Sequence, residues 1–417
     1  MLLAVLFSFF ASAASLQAGP DTTLPFAPRP MIDTLCSSTY FGRGYQKNGA
    51  ERAAAYLAKK LEAYGVSSGA VTGDYMQTFT VPVNVLEGEP SFSVGLTKGM
   101  PGKDFLPDAA TPTARLKLVA EPYDSLAWPT MSPTVQANTA IIFTAKAQYQ
   151  SFIERSEGKP GLAIVKYTKL PPHTVADVVA PFPVVHVLES IAPRPGEKVS
   201  YRVKATLRTM PTANVLGMVM GTAVRDSFLI VGAHYDHLGG MGPQLFYPGA
   251  NDNASGTTLV VELAAAIARQ PLRYTVVFAL FGAEELNLKG SSYFTGNTVM
   301  PLERVRFMLN LDLMGSGEDG ATFVNAPSVQ ADFDMLKAIN AELKPSLPSI
   351  RPRRNAPNSD HYPFTQVGVP AGFLFLQGPF AYYHSPEDKP RPELTLQGFS
   401  TTFRLTRHFL QKLAGDK

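Results

Sequence analysis

Residues 227–239 read SFLIVGAHYDHLG. The apolar run Phe228–Ala233 has the unbroken character of a strand buried on both faces, and it ends on His234 with Asp236 two positions further on. The same design recurs downstream. A strand-like run over Thr275–Phe281 is followed by Glu284 and Glu285, one over Val305–Leu311 by Asp312, and one over Ala371–Leu376 by a loop carrying His384. Helical stretches expected at Ser255–Arg269, Glu284–Thr295, Val329–Leu343 and Glu393–Leu413 alternate with these runs. That alternation predicts an α/β fold with a mixed, largely parallel central sheet flanked by helices. In such open sheets ligands bind at the carboxyl ends of the strands, which is where the acidic and imidazole groups fall.

Upstream, residues 49–64 carry Ala54, Leu57, Leu61 and Tyr64 at helical spacing, with Gly65 as a stop, and 74–81 alternate as a strand. From 87 to 198 proline and glycine are dense and apolar runs are short, which predicts a small β-rich insert. The main domain is then expected over 27–86 and 199–417. Leu2–Ala14 is apolar except for Ser8 and Ser12, too short for the roughly 20 residues of a membrane span. With Ala11-Ser12-Ala13 as a small-x-small site, residues 1–18 are expected to be a signal peptide, placing the protein in the periplasm or outside the cell.

The 417 residues are 45% hydrophobic and 17% charged, a composition that excludes a disordered or fibrous chain. The net charge is +3 and no run holds five like charges, so there is no footprint for nucleic acid or for an anionic membrane. Cys36 is the single cysteine, which excludes an intrachain disulfide and a thiolate metal cluster. Metal chemistry in this chain must use His, Asp and Glu.

Singly, each candidate has an ordinary explanation. A histidine after a strand is commonly structural, Glu284 and Glu285 suit the start of a helix, and Asp252 in GANDNASG (249–256) suits a turn or cap. Their joint position at one sheet edge points instead to a divalent cation, zinc or a harder relative such as manganese or cobalt. Two ions sharing one carboxylate, at the ~3.5–4 Å typical of two-metal hydrolases, would relieve the repulsion among the acids. Of two adjacent glutamates one can ligate while the other serves as general base.

Six segments carry a resemblance: VGAHYDHLG (231–239), GANDNASGT (249–257), FALFGAEELNLKGSSYF (278–294), LNLDLMG (309–315), SDHYPF (359–364) and YYHSPED (382–388). In this order they resemble the di-zinc exopeptidases that include bacterial leucyl aminopeptidases and glutamate carboxypeptidase. The resemblance implies two zinc ions, with His234, Glu285, Asp312 and His384 as terminal ligands and Asp252 as the bridge. It implies Glu284 as the base, Asp236 as the carboxylate that orients His234, and Tyr383, ahead of Tyr382, as the residue that holds the oxyanion. FGRG (41–44) is similar to an opening motif of exported members and is expected to be structural. The insert, through FPVVHV (182–187), resembles a protease-associated domain. Asn287 and Lys289 depart from the small or apolar residues usual after the glutamate pair. Asn358 stands where some aminopeptidases place an arginine that holds the substrate terminus.

The implied function is an exported zinc aminopeptidase acting on peptides. A carboxypeptidase or dipeptidase of the same family is the alternative, kept open by Arg353 and Arg354. Glutaminyl cyclisation and a non-catalytic binding protein on this scaffold are further alternatives, disfavoured by the complete ligand set. Among the remaining histidines, His237 can face the site but is not expected to ligate, His361 can line the pocket, and His173, His186 and His408 have no ligand-like context. Trp128 is expected in the core.

Overall fold

A computed structural model describes residues 25, 27–70, 73–155, 158–243, 245–298 and 300–415. The expected signal peptide lies outside the described residues.

The strands that organise the molecule are β1 (Met76–Val94), β2 (Ala114–Pro122), β3 (Thr139–Phe143), β4 (Leu162–Tyr167), β5 (Val184–Leu188), β6 (Lys198–Val219), β7 (Val224–His234), β8 (Tyr274–Phe281), β9 (Val305–Leu311), β10 (Gly320–Val324), β11 (Ile350–Arg353) and β12 (Ala371–Gln377). Among the helices are α1 (Gly49–Ala63), α2 (Gly256–Arg269), α3 (Lys289–Gly296), α4 (Gln330–Glu342), α5 (His361–Gln366) and α6 (Phe399–Leu413). The main sheet runs β11-β10-β12-β9-β7-β8-β6, and β12, β9, β7 and β8 are mutually parallel. β6 joins β8 antiparallel, and β10 joins β12 antiparallel, so the sheet is mixed with a parallel centre.

The unbroken apolar runs follow from coverage on both faces. Leu229, Val231, Val276, Phe278 and Leu280 point into one core with Leu57 and Leu61 of α1, Leu259 of α2 and Phe403 of α6. Ile230, Val277, Ala279 and Phe281, the alternate residues, point into the opposite core with Phe294 of α3 and Phe364 of α5. Each of the Val, Leu, Ile and Phe side chains among these contributes about 1.5–3 kcal/mol on full burial.

Two helices start later than the periodicity suggests. After β8 the chain places Ala283, Asn287 and Leu288 at φ of 60°, 62° and 60°, so α3 begins only at Lys289 and the glutamate pair sits in a loop. Before α6, Leu396 has φ of 56°, and its amide and that of Gly398 bond to Gly315 and Ser316 carbonyls in the loop after β9. The stretch 393–398 is therefore tied across the sheet edge and is not helical.

β1 and β6 form a long antiparallel ribbon from Met76↔Val215 to Val94↔Val199, with an irregularity between Glu87 and Ser91. This ribbon passes through residues 86 and 87 without a break and carries β2, β3, β4 and β5 at its far end. There Phe92, Ile142, Ile164, Val185 and Tyr201 form one apolar cluster, and Trp128, Phe143, Phe152 and Phe182 another. Trp128 is buried, edge-on to Phe152.

Candidate active site

The parallel order β12-β9-β7-β8 brings four carboxyl ends to one edge. His234 is the last residue of β7, Glu284 and Glu285 follow β8, Asp312 follows β9, and the loop after β12 delivers Tyr383 and His384. Asp252 enters from the segment between β7 and α2, next to a non-proline cis peptide to Asn253. Gly249 makes that entry possible. It has φ of 63°, and a Cβ there would meet the Asp252 carbonyl oxygen at 2.2 Å and the His237 ring at 2.4 Å.

Two groups of ligand atoms converge, each within 4.8 Å: His234, Glu284 and Asp312 in one, and His237, Asp252, Glu285 and His384 in the other. Asp252 reaches both. Its Oδ1 lies 3.2 Å from His234 Nε2 and its Oδ2 lies 3.1 Å from His384 Nε2. Asp312 Oδ1 is 3.4 Å from His234 Nε2, and Glu285 Oε2 is 3.2 Å from His384 Nε2.

The imidazoles are oriented from behind. His234 Nδ1 lies 3.1 Å from the main-chain carbonyl oxygen of Asp236, while the Asp236 carboxylate is 3.8 Å away. That carboxylate instead accepts the amides of Glu284 (3.1 Å) and Glu285 (3.4 Å), so Asp236 shapes the glutamate loop as well as the histidine. His384 Nδ1 meets the carbonyl oxygen of His173, 2.8 Å away and 211 residues earlier, and the His173 amide returns a 3.2 Å bond to the His384 carbonyl. Both Nε2 atoms therefore face the cluster, as ligation requires. Asp388 secures Asp252: its two carboxylate oxygens accept the Asn251 and Asp252 amides at 2.8 and 3.0 Å. Arg43, of the FGRG segment, is fully buried and donates to the carbonyls of Leu35, Tyr235, Pro248, Gly249 and Asp252.

The donor set fits divalent cations. Asp312 Oδ1 and His237 Nε2 are buried and accept or donate no hydrogen bond among the described residues. The two groups together hold four carboxylates and three imidazoles. Burial alone would make His384 less basic, but Glu285 and Asp252 outweigh it and raise it to about 11. His234 is likewise lowered by burial yet raised overall by Glu284, Asp312 and the bond to Asp252. The carboxylates thus demand positive charge at the two Nε2 positions, which metal ions supply without protonating the ligands.

Glu284 and Glu285 part company here. Burial, with the charges of Glu285, Asp360 and Asp312, holds Glu284 well above the usual carboxylate range against the pull of His234. Glu285 is also penalised by burial, but His384 and a 2.7 Å bond to His237 Nδ1 bring it down to about 2. One is built to carry a proton and the other to stay charged.

A cavity of about 210 Å³ opens beside the cluster, lined by His234, Asp252, Glu284, Asp312, Tyr383 and the walls Leu313, Phe373, Phe375, Asn358 and Arg353. Tyr383 is 55% exposed and stacks on His384 at 3.8 Å between ring centroids, which puts it at the rim. His361 does not reach the cluster; it packs against Phe373, and its Nε2 lies 3.1 Å from Asn355 Oδ1.

The structure also brings in residues that the sequence did not single out. Asp388 lies inside the quoted YYHSPED segment, so position alone could have flagged it. The His173 contact uses a main-chain oxygen, for which side-chain identity carries no signal. Asp360 is buried beside Glu284, with its pKa pushed up to about 7 chiefly by burial.

Paired imidazole–carboxylate clusters on this edge of a covered parallel sheet define a metal-dependent exopeptidase. The sequence profile of peptidase family M28 matches residues 214–409 of this chain. Aminopeptidase YwaD of Bacillus subtilis is 27% identical over 338 residues, covering 75% of this chain and 70% of that protein. Leupeptin-inactivating enzyme 1 of Streptomyces exfoliatus is 33% identical over 154 residues, 36% of this chain and 33% of its own length. Among solved structures, BSAP, a zinc aminopeptidase from Bacillus subtilis, superposes with a TM-score of 0.71 at 18% identity, covering 94% of this chain and 95% of that one. That likeness establishes the shared fold.

Proposed function

We propose that the protein is an exported zinc aminopeptidase that removes N-terminal residues from peptides. The observation that carries this reading is Asp252, which offers one carboxylate oxygen to each imidazole and so is placed to bridge two ions. His234 and Asp312 would complete one zinc site, Glu285 and His384 the other. Zinc bound there supplies Lewis acidity, polarising the scissile carbonyl and making a water acidic near neutral pH.

The chain's own groups supply the rest. Glu284, raised in pKa and facing the cavity, accepts a proton on its carboxylate from the attacking water and returns it to the leaving amine nitrogen. The Tyr383 hydroxyl at the rim donates to the oxygen that gains charge. Leu313, Phe373 and Phe375 wall a space sized for a single apolar side chain. The family and the names of its relatives support the aminopeptidase assignment; export rests on residues 1–18, and 87–198 are read as an insert. The test is hydrolysis of leucyl-para-nitroanilide beside its N-acetyl form, with and without chelator. Cleavage of the free amine alone, lost on chelation and regained with zinc, is expected. Cleavage of the acetylated substrate at a comparable rate would overturn it.

One observation favours a second reading. Arg353 lines the cavity and makes no ion pair among the described residues, so it is free to meet a carboxylate. A dipeptidase or carboxypeptidase would use it to hold the free C-terminus. Faster hydrolysis of N-acetyl dipeptides than of their C-terminal amides, lost in Arg353→Gln, would establish that alternative.

A further inference from the structure

A second, larger cleft of about 750 Å³ lies between the insert and the main domain, and it touches the metal site. Tyr383 lines both it and the catalytic cavity, and His384 forms part of its wall. Its volume falls in the range of clefts that hold extended ligands, whereas the catalytic cavity accommodates one side chain. A peptide whose first residue occupies the small cavity and whose chain leaves over Tyr383 runs directly into this cleft.

The cleft has a sign. Lys103, Lys146 and Lys169 of the insert line it, and none makes an ion pair or side-chain hydrogen bond among the described residues. The lining carboxylate, Glu387, is already neutralised by Lys389 at 3.1 Å and Arg391 at 2.8 Å. Asp104, beside Lys103, turns its carboxylate back on to the Met100 amide. Arg391 lies over the ring of Tyr382, another lining residue. Three uncompensated ammonium groups therefore face a cleft floored by Tyr382 and Tyr383. The loop 168–173 that carries Lys169 is fastened to the metal site by the His173 carbonyl, which meets the His384 ring at Nδ1, and by the His173 amide, which donates to the His384 carbonyl, so this wall is held in register with the chemistry.

We propose that this cleft binds the residues of the substrate downstream of the scissile bond and selects acidic side chains there. The inference rests on the peptidase reading, since it takes the direction of the substrate from the catalytic cavity. Clustered lysines attract such a segment by charge, which makes the preference dependent on salt.

The test uses the zinc-loaded Glu284→Gln protein, which separates binding from turnover. Two peptides beginning with leucine, one continuing in glutamate and aspartate and the other in lysine and arginine, carry a dye at the C-terminus for fluorescence anisotropy. The acidic peptide is expected to bind about tenfold or more tightly at low ionic strength, with the gap closing near ~0.5 M salt. Adding Lys103→Glu, Lys146→Glu and Lys169→Glu together reverses the order. The corresponding Gln replacements abolish the preference and serve if the charge-reversed protein does not fold. Lys59→Glu, on the exposed face of α1, leaves it unchanged. Equal affinity for the two peptides, or a preference that survives the triple replacement, would overturn the proposal. Failure of the wild type to cleave leucyl-para-nitroanilide would count against the aminopeptidase reading alone, because the anisotropy ratio is read without turnover.

Discussion

Glu284 and Glu285 are neighbours in sequence and opposites in environment: one is held well above the usual carboxylate range by burial, the other lowered to about 2 because His384 and His237 outweigh its burial. Glu284→Gln keeps the shape and removes the proton acceptor, so turnover should fall by about 10²–10⁴-fold while zinc per chain, measured by elemental analysis, is retained. Retained turnover would refute the assignment. Cys36 gives a second expectation. Burial, offset only in part by Arg43, pushes its thiol up to about 12, so it remains protonated at pH 8. A thiol reagent should leave the native protein unlabelled at that pH and label one site after denaturation. At this scale the sequence was most informative, because ligand-type residues immediately after apolar strands mark the active edge. His173 and Asp388 escaped it: the first acts through a carbonyl oxygen across 211 residues, and the second through backbone amides.

The elements show how the strand ends are fixed as a site. The segment holding Asp252 is pinned by Arg43 from one side and Asp388 from the other. Asp388→Ala removes the acceptors of two amides, each costing about 1–3 kcal/mol if left unsatisfied. Zinc content should drop and the unfolding temperature fall; Asp388→Asn, which keeps one acceptor oxygen, should lose less. Arg43→Met strands five carbonyls and is expected to destabilise the protein by about 3 kcal/mol or more in denaturant unfolding. Strand positions were readable to within a few residues, since burial on both faces leaves continuous apolar runs. The start of α3 was not, because positive φ at Ala283, Asn287 and Leu288 is imposed by the glutamate loop and its bonds to Asp236, not by local propensity.

Across the whole molecule, the ribbon of β1 and β6 makes the catalytic sheet and the 87–198 region one continuous surface, with a catalytic wall on one side and a lysine-lined wall on the other. Composition announced a change of character near residue 87, but it could not reveal that the strands run straight through it, since the β6 residues that pair with Met76–Val94 lie more than a hundred residues away. The acidic centre also ties folding to metal. A cation at ~1,000 times its Kd adds about 4 kcal/mol, so chelation should lower the unfolding temperature and added zinc should restore it. The most direct test of the whole account is a zinc titration of the chelated protein followed by leucyl-para-nitroanilide hydrolysis. Activity absent at the start and complete at about two zinc ions per chain is the expected result. Full hydrolysis surviving chelation, or none at any zinc level, would contradict it.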